Sequence, residues 1–124
     1  MDTHLLLCAA ASSRRLPRGV AALIRDEANE LFFSVARLWE IAIKGSPGRR
    51  DFRVDARVLR RGLLDHGYVE LAITGLHAIE AGALPWLHRD PFDRMLVAQC
   101  VSEGIPLLTV DERLRAYGAA VKVF

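Results

Sequence analysis

Four carboxylates are the residues of this sequence that could do chemistry. One precedes an apolar helical segment, one lies inside an apolar helix, one falls in a first helical turn and one follows an apolar strand: Asp2, Glu40, Asp93 and Asp111. The sequence contains no Gly-rich phosphate loop, no paired-cysteine zinc spacing and no Gly-x-Ser-x-Gly elbow. The candidate chemistry is therefore that of carboxylate oxygens.

Carboxylates that meet at one edge of a sheet repel one another unless cations neutralise them. Such a site suits Mg²⁺ or Mn²⁺, which take oxygen ligands, keep waters and bind phosphate oxygens alongside the protein. The spacing in sequence leaves that convergence open, since Glu40 could equally be a solvent-facing residue of an amphipathic helix. If the four anions do crowd together, we expect Asp93→Asn to abolish activity and to leave the metal-free fold intact or firmer.

Residues 84–111 carry the clearest local signals and two of the four acids. Asp90 is a good N-cap, the proline after it suits the first helical position, and Asp93 then lies where the helix dipole favours negative charge. The helix that follows is apolar over most of its circumference and ends at Gly104. A short strand over 107–110 places Asp111 just beyond its carboxyl end, where open parallel sheets gather ligands.

The remaining elements alternate between helix and strand along the chain. This alternation predicts an α/β fold with a mainly parallel sheet, formed as a single domain over residues 1–124. We expect helices over about 4–11, from Pro17, over about 36–44, over 55–66 and over 74–83, and strands over 31–35, 68–73, 107–110 and 121–124.

Composition is that of an ordinary soluble protein. The net charge is +2, with arginine as 15 of the 17 basic residues, and six arginines lie between Arg49 and Arg61. That stretch fits a solvated helix face as well as a phosphate-binding surface. No segment is apolar for long enough to cross a membrane, and the first residues carry no basic signal-peptide region, so we expect a cytoplasmic protein with no membrane contact.

The cysteines and histidines show no metal-type spacing. Cys8 and Cys100 lie in apolar surroundings and are expected to be free buried thiols. For the four histidines we expect structural or surface roles: His4, His66, His77 and His88.

Several segments, in order and at matching spacing, resemble a known family. They are residues 2–6 (DTHLL), Ser34, 38–44 (LWEIAIK), 88–99 (HRDPFDRMLVAQ) and 108–111 (LTVD). Together they resemble the PIN-domain ribonucleases, and most closely the VapC-type toxins of bacterial toxin-antitoxin systems. The resemblance extends over nearly the whole chain.

The resemblance implies a three-layer α/β/α domain that acts as a Mg²⁺- or Mn²⁺-dependent endoribonuclease. It implies an RNA substrate, a small cognate antitoxin and a homodimer. The catalytic and metal-binding residues that it implies are Asp2, Glu40, Asp93 and Asp111. Asp90 recurs in this subgroup as a structural residue. The hydroxyls of Thr3, Ser34 and Thr109 could orient a carboxylate or a water, or could equally cap helices and strands.

The sequence departs from the family pattern in two places. Cys8 stands where such toxins usually carry tryptophan, a change of little consequence. Relatives also have an apolar strand before the first aspartate, in the middle of a five-stranded sheet, whereas only Met1 precedes Asp2 here. We therefore expect a first strand that is missing or truncated, with a natural start about 5 to 6 residues upstream.

Two other functions compete with a ribonuclease. The first is a non-catalytic PIN-like module that binds RNA or protein; the presence of all four acids argues against it, and metal-dependent cleavage would decide. The second is a metal-dependent phosphatase that forms a covalent aspartyl intermediate. It is the weaker alternative because Asp2 lacks a second aspartate two residues later.

Overall fold

A computed structural model describes residues 16–44, 55–85 and 90–124. The predicted helix over 4–11, with Asp2, Thr3, His4 and Cys8, lies outside the described residues, as does His88. The described elements are α1 (Arg18–Arg25), β1 (Phe32–Ser34), α2 (Val35–Lys44), α3 (Ala56–Asp65), β2 (Val69–Leu71), α4 (Gly75–Ala83), α5 (Pro91–Glu103), β3 (Leu107–Thr109), a 3₁₀ helix (Glu112–Tyr117) and β4 (Val121–Val123). Each element predicted within these ranges is present, and the 3₁₀ helix is additional.

The four described strands form two parallel pairs. β1 pairs with β2, with Phe33 opposite Glu70, and β3 pairs with β4, with Leu108 opposite Lys122. The prediction of a parallel α/β fold is confirmed. A single central sheet was expected. Within the described residues the strands instead form two separate two-stranded sheets, and no described strand hydrogen-bonds to both pairs.

Local sequence signals set most helix ends. The side chains of Asp55, Thr74 and Asp90 each accept a backbone N–H from two or three residues further on, which satisfies amides that the helix leaves without partners. Gly104 closes α5 in the left-handed conformation, with φ 68°, which glycine adopts at little cost. The roles of Asp90 and Gly104 were predicted, and the helices that begin near Asp55 and Thr74 were predicted with those bounds.

Two apolar clusters make up the core within the described residues. One joins α1, β1, α2 and α3 through Val20, Phe33, Ile41, Leu59 and Leu63. The other joins α5, β3, the 3₁₀ helix and β4 through Leu96, Val97, Cys100, Leu107, Leu114 and Val121. Because α2 belongs to the first cluster and α5 to the second, contacts between these two helices connect the two halves of the domain.

Cys100 is a buried free thiol, as predicted. Burial raises its pKa, because removal from water disfavours the thiolate. Among the described helices, none has the length and apolar character required to span a membrane.

Candidate acidic site

A buried arginine holds two of the predicted acids together. Nη1 of Arg37 donates to Oε1 of Glu40 at 2.8 Å, and Nη2 donates to Oδ1 of Asp93 at 2.6 Å. Arg37 is only 1% exposed and Glu40 only 6% exposed. The structure therefore brings Glu40 and Asp93 to one place, and the alternative of a solvent-facing Glu40 is wrong.

The local structure of the two helices explains this meeting. Arg37 and Glu40 are three residues apart on α2, and residues at that spacing share one face of a helix. On α5, the side chain of Asp90 accepts N–H groups from Phe92 and Asp93 and so fixes the first turn. Since helical side chains lean toward the N-terminus, Asp93 lies at the open end of α5, within reach of α2.

The electrostatics of this cluster are attractive. Burial alone would lower the pKa of Arg37, but the adjacent carboxylates of Asp93 and Glu40 outweigh it, and the pKa is raised. The expectation that Asp93→Asn would leave the fold intact or firmer assumed unrelieved repulsion between anions. That premise is wrong for Asp93, whose carboxylate is paired with a buried cation.

The Arg37 guanidinium is incompletely satisfied. Two of its nitrogens bond to carboxylates, while Nε is buried and has no hydrogen-bond partner among the described residues. A buried donor in this condition costs about 1 to 3 kcal/mol. Such a group in a native core calls for an explanation beyond packing.

Asp111 lies at a more exposed position, at the start of the 3₁₀ helix. Its carboxylate accepts the backbone N–H of Arg113 and binds the Arg113 guanidinium through Nε at 3.0 Å and Nη2 at 2.9 Å. The pKa of Arg113 is raised, first by Asp111 and further by the charges of Asp93 and Asp90. Arg113, which binds Asp111, is therefore also within the electrostatic influence of Asp93. Asp2, the fourth predicted acid, is outside the described residues.

The hydroxyl groups have structural partners. Ser34 accepts the N–H of Ala36 at the start of α2 and donates to Oε1 of Gln99. The Gln99 amide in turn donates to the carbonyls of Leu71 and Ala72, just where β2 ends. This fully buried glutamine ties α5 to β1 and β2. Ser34 thus has the capping role that was one of its two expected roles.

Thr109 and His77 also stabilise local structure. Oγ1 of Thr109 accepts the N–H of Asp111 at 3.0 Å. Nδ1 of buried His77 accepts the N–H of Thr74, so its Nε2 carries the proton and donates to Glu103 at 2.8 Å. The structural role predicted for this histidine is confirmed.

Two aromatic residues are adjacent in sequence to the two acids. Trp39 precedes Glu40 and Phe92 precedes Asp93 in sequence, and their rings meet edge to face with centroids 5.4 Å apart. Trp39 is 60% exposed although the next residue, Glu40, is buried. An exposed aromatic side chain therefore lies one residue before Glu40 in α2.

The donor set fits a hard divalent cation. Glu40 and Asp93 come from different helices and already place oxygens around one cationic group. Among the described residues no group of three or more acidic, histidine or cysteine side chains is positioned to hold a metal ion. Two carboxylates are enough for Mg²⁺, which usually keeps several waters and binds through one or two carboxylates plus substrate phosphates.

Comparison with protein families identifies the fold. The family model described as PIN domain matches residues 1–120. The chain belongs to the PIN domain family. PIN domains are generally metal-dependent nucleases, which gives this chain a nuclease-like fold. No curated protein and no solved structure gives a significant match.

Sequence reasoning missed Arg37, the residue that joins the two acids. A signal was present, because Arg37 lies three residues before Glu40, on the same face of α2. Charged residues are nevertheless almost never fully buried unless they are paired. The second partner of Arg37, Asp93, is 56 residues away in sequence. The pairing follows from tertiary contact.

Proposed function

We propose that this PIN-domain protein is a metal-dependent endoribonuclease that uses Mg²⁺ or Mn²⁺ to hydrolyse RNA phosphodiester bonds. The observation that carries the proposal is the convergence of Glu40 and Asp93, from two different helices, around a single cationic position. Asp111 and Asp2 complete the proposed set of catalytic and metal-binding residues.

The chain's own residues would contribute binding and orientation. Glu40 and Asp93 would hold the cation through carboxylate oxygens whose positions are set by α2 and by the Asp90 cap. Asp111 would supply a further oxygen from the end of β3. A divalent ion held there would lower the pKa of a bound water and would stabilise negative charge on the attacked phosphate. No nucleophilic side chain is required for this reaction.

The aromatic pair favours RNA over a small phosphate ester as substrate. Exposed aromatic rings stack on unpaired bases, each worth about 1 to 3 kcal/mol by alanine substitution. Trp39 is exposed, contacts Phe92 edge to face and directly precedes Glu40 in sequence. A single-stranded or looped segment could therefore place a phosphate at the acids while a neighbouring base contacts Trp39. Trp39→Leu should weaken binding of single-stranded RNA roughly tenfold without changing the metal affinity.

We further propose that the nuclease is the toxin of a type II toxin-antitoxin system. The support is the resemblance of the sequence segments to VapC-type toxins. On this proposal the chain forms one domain over residues 1–124, acts in the cytoplasm as a homodimer and is restrained by a small antitoxin. An antitoxin arginine that reached Glu40 and Asp93 would make forked, charge-assisted bonds there, but it would have to replace those of Arg37.

The proposed activity is tested with end-labelled single-stranded RNA and purified protein. We expect cleavage with Mg²⁺ or Mn²⁺, none with a chelator, and none with Asp93→Asn. Asp90→Asn is the matched control, since asparagine caps helices as well as aspartate does. Equal cleavage by Asp93→Asn and wild type would refute the site. RNA binding without any cleavage would instead support the non-catalytic module, and hydrolysis of small phosphate esters but not RNA would support the phosphatase.

The toxin role needs a separate test in cells. Expression of the chain should arrest growth, and co-expression with the small gene next to its own should restore it. Growth arrest that persists although the two proteins co-purify would reject inhibition at the acidic site. The homodimer is checked by the mass of the purified protein in solution.

A further inference from the structure

We infer that Arg37 is a resident cation of the acidic site, which holds Glu40 and Asp93 in place and competes with the divalent ion for their oxygens. This inference rests on the proposed metal-dependent function. Arg37 is a positioning residue, because it acts through the two carboxylates and has no contact assigned to substrate.

The partners of Arg37 are groups that could also bind a metal ion. The two guanidinium bonds described go to carboxylates, one on its own helix and one on α5. Oε1 of Glu40 and Oδ1 of Asp93 are the kind of oxygens that Mg²⁺ and Mn²⁺ take as ligands. A divalent ion that binds through these oxygens must therefore replace guanidinium bonds.

Nε of Arg37 lacks a hydrogen-bond partner among the described residues. An arginine that serves only packing is expected to have its buried donors satisfied. The guanidinium is thus fixed by the two carboxylates and by no third bond from Nε. When an ion takes those oxygens, Arg37 loses only the bonds that the ion replaces.

The charge of Arg37 also bears on metal binding. Glu40 and Asp93 both contact the buried positive charge of Arg37 before any metal binds. A divalent ion that enters the same place meets the repulsion of that charge, and in a buried setting the repulsion is only weakly screened. Removal of the charge should raise the affinity for the ion, provided that the carboxylates stay near their positions.

The experiment measures metal binding directly, by calorimetric titration of Mn²⁺ into RNA-free protein. Arg37→Met keeps much of the side-chain length and removes the charge, and we expect it to bind Mn²⁺ at least roughly tenfold more tightly than wild type. Arg37→Lys keeps the charge but loses the forked geometry, so its affinity should stay within about threefold of wild type. Binding by Arg37→Met that equals or falls below that of wild type overturns the inference.

A second measurement uses the wild-type protein and does not depend on variant stability. The Nε–H resonance of Arg37 in a ¹⁵N-labelled sample should move as Mg²⁺ is added, because the guanidinium leaves its carboxylates. A resonance unchanged at saturating Mg²⁺ contradicts the inference. If wild type and Glu40→Gln bind Mn²⁺ with the same affinity, the proposed metal site itself fails, which separates that failure from an error about Arg37.

Discussion

Two buried arginines, Arg37 and Arg94, show that the same type of side chain can have different roles in this domain. Both are almost inaccessible, at 1% and 5% exposure. The described bonds of Arg37 go to two carboxylates on two helices. Those of Arg94 go to neutral oxygens at the end of α4 and to one hydroxyl, namely the carbonyls of Ala81, Leu84 and Pro85 and the hydroxyl of Tyr117.

The difference lies in what could replace each guanidinium. At the C-terminal end of a helix the last carbonyls lack partners and the dipole favours a cation, so Arg94 is well matched to its place. Backbone carbonyls of this kind cannot be reached by a metal without unfolding the end of α4. Carboxylates can exchange a guanidinium for a divalent ion. Arg94 is thus a fixed part of the structure, and Arg37 occupies a position that an ion can take.

The largest stability effect is expected from Arg94→Met. Loss of several charge-assisted bonds at the end of α4 should cost roughly 2 to 4 kcal/mol, since hydrogen bonds to charged groups contribute about 1.5 to 3 kcal/mol each and some of these carbonyls can regain water. Urea unfolding measures the loss. Mg²⁺ at 10 mM should not recover any of it beyond the small gain seen with wild type.

Arg37→Met in the same unfolding series is the matched comparison. It too should lose stability without metal, because the buried Glu40 and the partly buried Asp93 lose their bonds to the Arg37 cation. Mg²⁺ should restore a large part of that loss, since an ion that binds only the folded state stabilises it by mass action. Equal rescue of both variants, or of neither, would remove the distinction between the two arginines.

Asp93→Asn should reduce RNA cleavage at least about 100-fold, the scale seen when one group that stabilises transition-state charge is lost. It should also lower stability by roughly 1 to 3 kcal/mol, because Arg37 loses a charged partner. Cleavage assays and urea unfolding of the same preparation test both effects. A metal-free Asp93→Asn protein more stable than wild type would restore the earlier expectation of repulsion among the acids.

The contrast also shows what this sequence could predict. The Asp90 cap and the Gly104 helix end depend on residues a few positions apart, and local preference alone predicted them. The burial of Arg37 and Arg94 depends on partners brought close by tertiary packing. Charge in sequence predicts exposure, so two arginines at the centre of the structure were missed.

The same limit applies to the candidate site. The family pattern named Glu40, Asp93 and Asp111 as candidates, and the structure brings the first two together. That Asp111 would lie at the start of a 3₁₀ helix, bound by Arg113, was not predictable, because the polar segment after it has no clear periodicity.

Asp90→Ala is expected to have a moderate effect that separates capping from catalysis. Loss of the bonds to the N–H groups of Phe92 and Asp93 should cost about 0.5 to 2 kcal/mol. Asp90→Ser should keep both stability and RNA cleavage, because serine caps equally well. An Asp90→Ser protein with normal stability but no Mn²⁺ binding would show that Asp90 belongs to the metal-binding site and does not only support it.

The smallest effect is expected from Arg113→Gln, which extends the comparison to an exposed arginine. Arg113 binds Asp111 through two nitrogens, but at the surface, where such pairs often contribute nothing measurable to stability. The backbone N–H that Asp111 caps is unchanged by the substitution. The urea midpoint should therefore stay the same within error.

Removal of this charge near Asp111, Asp93 and Asp90 should tighten Mn²⁺ binding by no more than about twofold, and only at low salt, because solvent ions screen exposed charges. Mn²⁺ titrations at 20 mM and 300 mM salt, beside Arg37→Met, measure this. If Arg113→Gln tightens binding as much as Arg37→Met at both salt concentrations, burial is not what makes Arg37 the stronger competitor, and the total charge around the acids would explain both results.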